Sequence, residues 1–87
     1  MKFAVHLDPN SIIGRSYAGN HDGHTGAEIP TLLCTSVDDQ GPYLLAVRRS
    51  PKKDRPKQTL LIPHSAVAWI QRYAEKEALP MGFVPRS

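Results

Sequence analysis

The chain has little of what secreted or membrane-spanning proteins usually carry. Its 87 residues include a single cysteine, Cys34, which excludes an internal disulfide and fits a reducing, cytoplasmic setting. The longest apolar runs fall far short of the ~20 residues that a transmembrane helix requires. The apolar stretch at residues 1–7 is too short for a signal peptide and is followed at once by Asp8-Pro9. We therefore expect a cytoplasmic protein without a membrane partner.

The sequence also lacks a recognisable catalytic constellation. No serine stands in the context of a nucleophile elbow. Cys34 ends the apolar run Thr31-Leu-Leu-Cys, where a buried and inert thiol is the expectation. Asp38-Asp39 has the chemistry of a turn, with a carboxylate pair as the alternative. These features predict a binding protein rather than an enzyme, and no cofactor is expected.

Size and composition indicate one small domain, residues 1–80, followed by a tail, residues 81–87. A hydrophobic content of 40% argues against disorder, while eight prolines and six glycines imply many turns. A chain of this length buries only ~60–65% of its extended surface, so association between copies would add stability. We expect a homo-oligomer.

Alternating apolar residues bounded by turn formers predict several short strands. In residues 2–7, Phe3, Val5 and Leu7 share one face, and Asp8-Pro9-Asn10 ends the strand. Residues 18–30 are rich in glycine and are expected to form a loop. The fold class that follows is mainly β, a small antiparallel barrel or strongly curved sheet of four or five strands. The further strands expected are Thr31–Val37, Tyr43–Arg48 and Gln58–Ile62, with Ser11–Tyr17 as a possible fifth.

The C-terminal part carries two competing patterns. Ser65 could cap a helix over residues 65–78, which the composition of Ala74–Ala78 favours and which Pro80 would end. The alternation of Val67, Trp69, Gln71 and Tyr73 favours a strand instead. We predict the C-terminal helix. The tail, with Phe83 and Val84 between prolines, either packs as an arm or is disordered.

A basic segment, residues 48–57, is the strongest chemical signal in the chain. It holds six of the eleven basic residues and one acid, Asp54, which gives it a charge of +5. Lysine and arginine side chains in a loop between two strands neutralise phosphates and release counterions. We therefore predict that nucleic acid or another phosphorylated ligand binds at Arg48, Arg49, Lys52, Lys53, Arg55 and Lys57.

Two other interpretations of the basic segment stay open. The charges could form a solvated loop that keeps the protein soluble and blocks strand-edge pairing. Alternatively, the protein is a protein-interaction or inhibitor module whose loop meets an acidic protein surface. No aromatic residue lies within the segment, although stacking on aromatic rings is common where single strands bind.

The remaining candidates are histidines and aromatic residues. His21, Asp22 and His24 are weak candidates for a metal site in a glycine-rich loop that includes Asn20-His21-Asp22, with His6 or His64 as a further ligand, and exposed loop residues are the alternative. A metal-dependent activity at residues 19–26 would follow from such a site. His64 either caps the expected helix or contacts the ligand at a strand end. Trp69 and Tyr73, four residues apart, fit a core or subunit-interface stripe better than a base-stacking platform.

Two motifs resemble those of a known family. Residues 36–45, Ser-Val-Asp-Asp-Gln-Gly-Pro-Tyr-Leu-Leu, resemble the first motif of Sm-like proteins of the Hfq type, and residues 61–68, Leu-Ile-Pro-His-Ser-Ala-Val-Ala, resemble the second. The resemblance covers residues 36–70 and implies a bent five-stranded barrel, a ring of about six or seven subunits, and RNA bound around the pore. By position, His64, Gln40 and Tyr43 would contact RNA. Pro63 stands where the Hfq branch has a lysine, and the family's closing strand would replace the expected helix.

Overall fold

The computed structural model describes residues 2–17, 21–25, 29–49, 58–74 and 82–85, and these residues are mainly β. One short helix, α1 (Ile12–Ser16), and one 3₁₀ turn (His64–Ala66) interrupt the strands. The strands are β1 (Lys2–Leu7), β2 (Gly23–Thr25), β3 (Pro30–Asp38), β4 (Tyr43–Arg48), β5 (Thr59–Pro63), β6 (Val67–Tyr73) and β7 (Phe83–Pro85).

The strands form one antiparallel sheet. Five of them follow the order β5-β4-β3-β1-β6, and β2 adds to β3 and in turn carries β7. The first strand is therefore central: Val5 lies opposite Leu32 of β3 on one side and Ile70 of β6 on the other. Leu45 of β4 lies opposite Asp38 of β3 and Leu61 of β5.

The sheet must curl, because its two outermost strands are close neighbours along the chain. In a flat sheet, β5 and β6 would lie four strand spacings apart, about 19 Å. Only the three residues of the 3₁₀ turn separate Pro63 from Val67. Four Cα–Cα steps reach at most about 15 Å, and 3₁₀ backbone rises only ~2 Å per residue. The Asp8 amide also donates to the Ala66 carbonyl over 2.8 Å, which ties the turn to the end of β1.

The inner face of the curled sheet holds the main core. Every strand of the five-strand path contributes an apolar side chain to this cluster, and α1 adds Ile13. Leu32, Leu44 and Ile62 are among its largest fully buried members. The buried residues of the cluster are Val5, Leu7, Leu32, Cys34, Leu44, Ala46, Ile62 and Ala66.

A second, smaller cluster lies on the outer face of the sheet. Ala4, Leu33 and Tyr73 are buried there, and Phe83 of β7 packs against them. Gly23 of β2 makes this cover possible. A Cβ at position 23 would collide with the Phe83 ring, whose Cε1 would lie 2.6 Å away, and with the Val84 carbonyl oxygen. Both faces of the sheet are thus covered at this end, so β1 is buried from Ala4 to Leu7 rather than on alternate residues.

The predicted C-terminal helix at 65–78 is wrong for the described part of that range. His64–Ala66 is a 3₁₀ turn, and Val67–Tyr73 is strand β6. Pairing with β1 favours the strand over the helix, because a helix at this place would leave the second side of β1 without hydrogen-bond partners. An extra residue at 68 shifts the register, which sends Val67 to the inner core and pairs Trp69 with His6. Local propensity yields to these long-range contacts.

Two predictions in the N-terminal third also need correction. The possible strand at 11–17 is a helix, because the Ser11 hydroxyl accepts a hydrogen bond from the Gly14 amide at 2.9 Å and so caps α1. The stretch expected as a loop contains β2, which pairs with Thr31 and Pro30 of β3. For the tail, the structure shows packing: Phe83–Pro85 pairs with β2 as β7.

Candidate functional site

The basic segment joins the adjacent strands β4 and β5, and its two ends are held together. The Arg48 amide donates to the Gln58 carbonyl over 2.8 Å, which continues the β4–β5 pairing by one residue. Residues 50–57 lie outside the described residues, and they include Lys52, Lys53, Arg55 and Lys57. The ends of β4 and β5 show only where the segment begins and where it ends. The segment therefore starts and ends at one end of the sheet.

Arg48 is largely buried and bonded within the fold. Its Nη2 lies 3.1 Å from Asp22 Oδ1 in a salt bridge, and its Nη1 donates to Gln58 Oε1 over 3.1 Å. Its guanidinium carbon lies 5.6 Å from the centre of the Tyr17 ring, a cation–π distance. These contacts occupy the guanidinium, so Arg48 positions the start of the basic segment and has little left to offer a phosphate.

Arg49, by contrast, is exposed. Its backbone amide donates to the Leu33 carbonyl over 2.8 Å, which fixes its Cα beside β3. Burial raises the pKa of the Tyr73 phenol, and the nearby positive charge of Arg49 opposes this rise. Of the predicted anion contacts among the described residues, Arg49 is the one presented to solvent at this end of the sheet.

Asp22 lies between β2 and β4 and binds the part of β3 that pairs with neither of these two strands. The same side of β3 pairs with β2 through Thr31 and with β4 through Cys34. Between them, the Leu33 amide donates to Asp22 Oδ2 over 2.7 Å, and the Asp22 amide donates to the Thr31 carbonyl. One carboxylate thus satisfies a backbone donor and pairs with Arg48.

This arrangement uses Asp22 in a way that does not suit metal binding. The His21 and His24 rings meet edge to face with centroids 6.4 Å apart, and His24 Nδ1 lies 2.7 Å from the Thr25 carbonyl oxygen. Within the described ranges, no group of three histidine, cysteine, aspartate or glutamate side chains is placed to hold a metal ion.

His64 lies at the opposite end of β4 and β5 from the basic segment. It follows Pro63, which pairs with Tyr43 at the first residue of β4, whereas the basic segment begins at the last. Five residue steps of a strand separate the two ends by roughly 17 Å. His64 Nε2 lies 2.9 Å from the Gly41 carbonyl oxygen, so the ring fastens the β3–β4 turn, which also contains Gln40, to the 3₁₀ turn. The structure therefore does not bring His64, Gln40 or Tyr43 together with the arginines.

Trp69 and Tyr73 share the outer face of β6 but differ in exposure. Tyr73 is buried in the small outer cluster, and its hydroxyl has no hydrogen-bond partner among the residues that the structure describes. Trp69 is 44% exposed, and its ring stacks on the buried His6 ring with centroids 4.1 Å apart. Of the two predicted interface residues, Trp69 offers surface to a partner.

His6, expected from the sequence as a further ligand of the metal site, is a buried polar side chain of β1. Its Nδ1 lies 2.8 Å from the Thr31 hydroxyl oxygen, while its Nε2 has no hydrogen-bond partner in the described part of the chain. Burial lowers the pKa of His6 below its ordinary value of 6.5, and the nearby Gln71 side chain opposes this only in part. The folded protein therefore favours the neutral ring.

Acidification should destabilise the fold through His6. Below about pH 6.5 the His6 ring takes up a proton in the unfolded chain but not yet in the folded chain. The contribution of His6 to the free energy of unfolding is therefore fully present above that pH and is lost as the pH falls towards the lowered pKa of the folded state. One such group contributes a slope of at most ~1.4 kcal/mol per pH unit. Urea unfolding between about pH 7.5 and 5 measures it. His6→Gln should flatten the slope, and equal slopes in wild type and His6→Gln would contradict the assignment.

The described residues offer no activated nucleophile. Cys34 is buried, as predicted, and burial together with the nearby Asp22 charge raises the pKa of its thiol to about 12, with Arg48 opposing. A thiol with this pKa stays protonated and unreactive at neutral pH. An open cleft of about 360 Å³ between α1 and the 3₁₀ turn has Arg15 as its one charged lining residue. Arg15 alone supplies no acid–base pair for catalysis there.

Comparison of the chain with protein-family models, curated proteins and solved structures gives no match. Assignment of a function therefore rests on this chain's own residues. Across the described ranges, no helix is long and apolar enough to span a bilayer.

Proposed function

We propose that this protein is a non-enzymatic binding module whose basic segment contacts the phosphates of nucleic acid or of another phosphorylated ligand. The observation that carries the proposal is the concentration of charge at one end of the β4–β5 pair. Six basic residues lie between positions 48 and 57, and the strands that flank them are hydrogen-bonded to each other up to Arg48 and Gln58. Charges collected at one place bind a chain of phosphates more tightly than the same charges spread over the surface.

The roles within the segment are unequal. Arg48, bonded to Asp22 and Gln58, acts as the positioning residue. Arg49 and Arg55 make forked contacts to phosphate, and Lys52, Lys53 and Lys57 act as point charges. His64 is left out of this contact set, because it lies at the other end of β4 and β5. The protein works as a homo-oligomer in the reducing cytoplasm, in keeping with its single buried thiol.

The resemblance of residues 36–70 to Sm-like proteins supports the same class of ligand. It implies a bent five-stranded barrel that binds RNA, and the curled path β5-β4-β3-β1-β6 is in keeping with that implication. The strand at Val67–Tyr73 removes one departure from the family's pattern, since the family has a closing strand at this place. The proposal takes from this family the barrel and the RNA ligand, and it does not include the family's ring of subunits.

Salt dependence tests the proposal on the wild-type protein. Fluorescence anisotropy with a labelled single-stranded RNA of about 20 nucleotides should show binding that weakens steeply from ~50 to ~200 mM salt. Five phosphate contacts predict a slope of log K against log salt near −3.5, because each contact to a single strand contributes about −0.7. Absence of binding at the low-salt end would overturn the proposal. Competition by polyglutamate as strong as by unlabelled RNA would instead favour an acidic protein partner.

A further inference from the structure

The outer edge of β5 is an open hydrogen-bonding surface at one end of the five-strand path. Among the described residues, β5 pairs on one side only, with β4. The hydrogen bond from the Arg48 amide to the Gln58 carbonyl fixes which residues face β4. Residues of antiparallel strands alternate between partner and edge, so Leu60 and Ile62 bond towards β4, whereas Thr59, Leu61 and Pro63 point their backbone groups outwards. Pro63 fits this assignment, because its missing amide hydrogen would face the open edge.

This edge lacks the charged side chains that commonly block strand addition, although Pro63 removes one backbone donor at its end. The five residues of β5 contain no charged side chain. Leu61, at its middle, is 66% exposed, and Leu45 and Tyr43 of β4 expose apolar surface on the same outer face. Edge strands usually carry lysine, a bulge or an inward charge to prevent pairing with another chain. An uncharged edge beside exposed leucines is therefore suited to pairing.

The donors and acceptors of the edge fit a second copy of the same strand. We propose that two copies of this chain form a symmetric dimer by antiparallel pairing of β5 with β5, with the two-fold axis at Leu61. The Leu61 amide of each copy then donates to the Leu61 carbonyl of the other, and each Thr59 amide donates to the opposite Pro63 carbonyl. Two sheets become one, and Leu45 and Leu61 of both copies lie side by side across the axis.

Charge favours a second copy over an unrelated strand. One end of the β4–β5 pair continues into the basic segment, beginning with the exposed Arg49. The other end lies beside the β3–β4 turn, where Asp38 and Asp39 are exposed and the turn is fastened to His64. An antiparallel two-fold arrangement places the basic end of each copy against the acidic turn of the other. The segment carries a charge of +5, so the two aspartates neutralise only part of it, and the remaining positive charge can bind an external ligand.

The dimer goes beyond the proposed function and does not depend on what the basic segment binds. It also assigns the subunit contact to Leu61 rather than to Trp69 and Tyr73, which lie on β6 at the other edge of the five-strand path. A ring that pairs β5 of one copy with β6 of the next would use both edges and would give a larger assembly.

Mass measurement tests the assembly. Sedimentation equilibrium from about 1 to 300 µM should show a monomer–dimer equilibrium, since small interfaces dissociate in the micromolar range. Leu61→Lys places two ammonium groups opposite each other at the axis and should raise the dissociation constant about tenfold or more. Trp69→Lys is the matched control, because Trp69 is 44% exposed on β6, at the other edge of the five-strand path, and should leave the constant unchanged. A monomer at the highest concentration, or an assembly larger than a dimer, would overturn the proposal.

Crosslinking tests the register. Leu61→Cys brings two thiols to the axis at the ~5.5 Å Cα separation of a hydrogen-bonded pair, which suits a disulfide. The native Cys34 is buried and does not compete. Mild oxidation should convert this variant to a covalent dimer at least about tenfold faster than a Trp69→Cys variant. Equal rates would show that the copies do not meet at Leu61. RNA anisotropy on the same samples separates this outcome from failure of anion binding.

Discussion

Reversal of the exposed charges of the basic segment should abolish RNA binding. The variant replaces five residues with glutamate and retains Arg48, because a glutamate there would face Asp22 and disturb the fold. Loss of five phosphate contacts and introduction of five repulsive charges should weaken binding more than about 100-fold near physiological salt. The substitutions are Arg49→Glu, Lys52→Glu, Lys53→Glu, Arg55→Glu and Lys57→Glu.

The chain offers a control with the same number of reversals. Five basic residues lie outside the segment, and each reversal changes the net charge by two units, so both variants go from +3 to −7. If the site is local, the control should bind at most about tenfold more weakly than wild type, through the loss of long-range attraction alone. Equal losses in the two variants would mean that net charge, not the segment, holds the RNA. The control residues are Lys2, Arg15, Arg72, Lys76 and Arg86.

Removal of the Asp22 carboxylate should be strongly destabilising. Asp22→Ala leaves the Leu33 amide without its acceptor and leaves Arg48 with a largely buried positive charge that has lost its carboxylate. These two losses together should cost about 2–4 kcal/mol of the free energy of unfolding. For a domain of this size, the melting temperature should fall by ~10–25 °C. Thermal and urea unfolding measure both quantities.

Matched variants separate the two roles of Asp22. Asp22→Asn keeps an oxygen for the Leu33 amide but loses the charge opposite Arg48, so it should cost only about half as much. A double-mutant cycle with Arg48→Met should give a coupling free energy of ~1–2 kcal/mol. A loss below ~0.5 kcal/mol in Asp22→Ala would contradict the structural role. A zinc-dependent rise in melting temperature that vanishes in Asp22→Ala would restore the metal interpretation instead.

The local pattern of apolar residues predicted those strands whose ends it marks. It failed where residues distant in sequence determine the secondary structure. The strands expected at 2–7 and 43–48 match β1 and β4 residue for residue. For residues 67–73, the helix-forming composition of the following stretch outweighed a β alternation that is interrupted by the extra residue at 68. The strand exists because β1 needs a second partner, and no window of local sequence contains that requirement.

The candidate site shows the same limit. From the sequence, Arg48 and Arg49 are adjacent and chemically alike, yet one is bonded inside the fold and the other faces solvent. The residue that distinguishes them, Asp22, lies 26 positions earlier in a stretch that was expected to be a loop. Sequence therefore located the charge but could not assign the individual roles. The Sm-like resemblance adds His64 to the predicted contacts, but the length of β4 and β5 separates His64 from the arginines.

The central position of β1 sets the order in which the fold can be completed. One side of β1 pairs with β3, and the other side pairs with β6, whose partner residues lie sixty or more positions later in the chain. Synthesis proceeds at about 5–20 residues per second. The backbone groups on one side of β1 therefore have no β6 to pair with for several seconds after β1 is made. Contacts of such long sequence separation slow folding. Completion of the sheet therefore depends on β6, and a chain cut short before Val67 would leave one side of β1 without these hydrogen-bond partners.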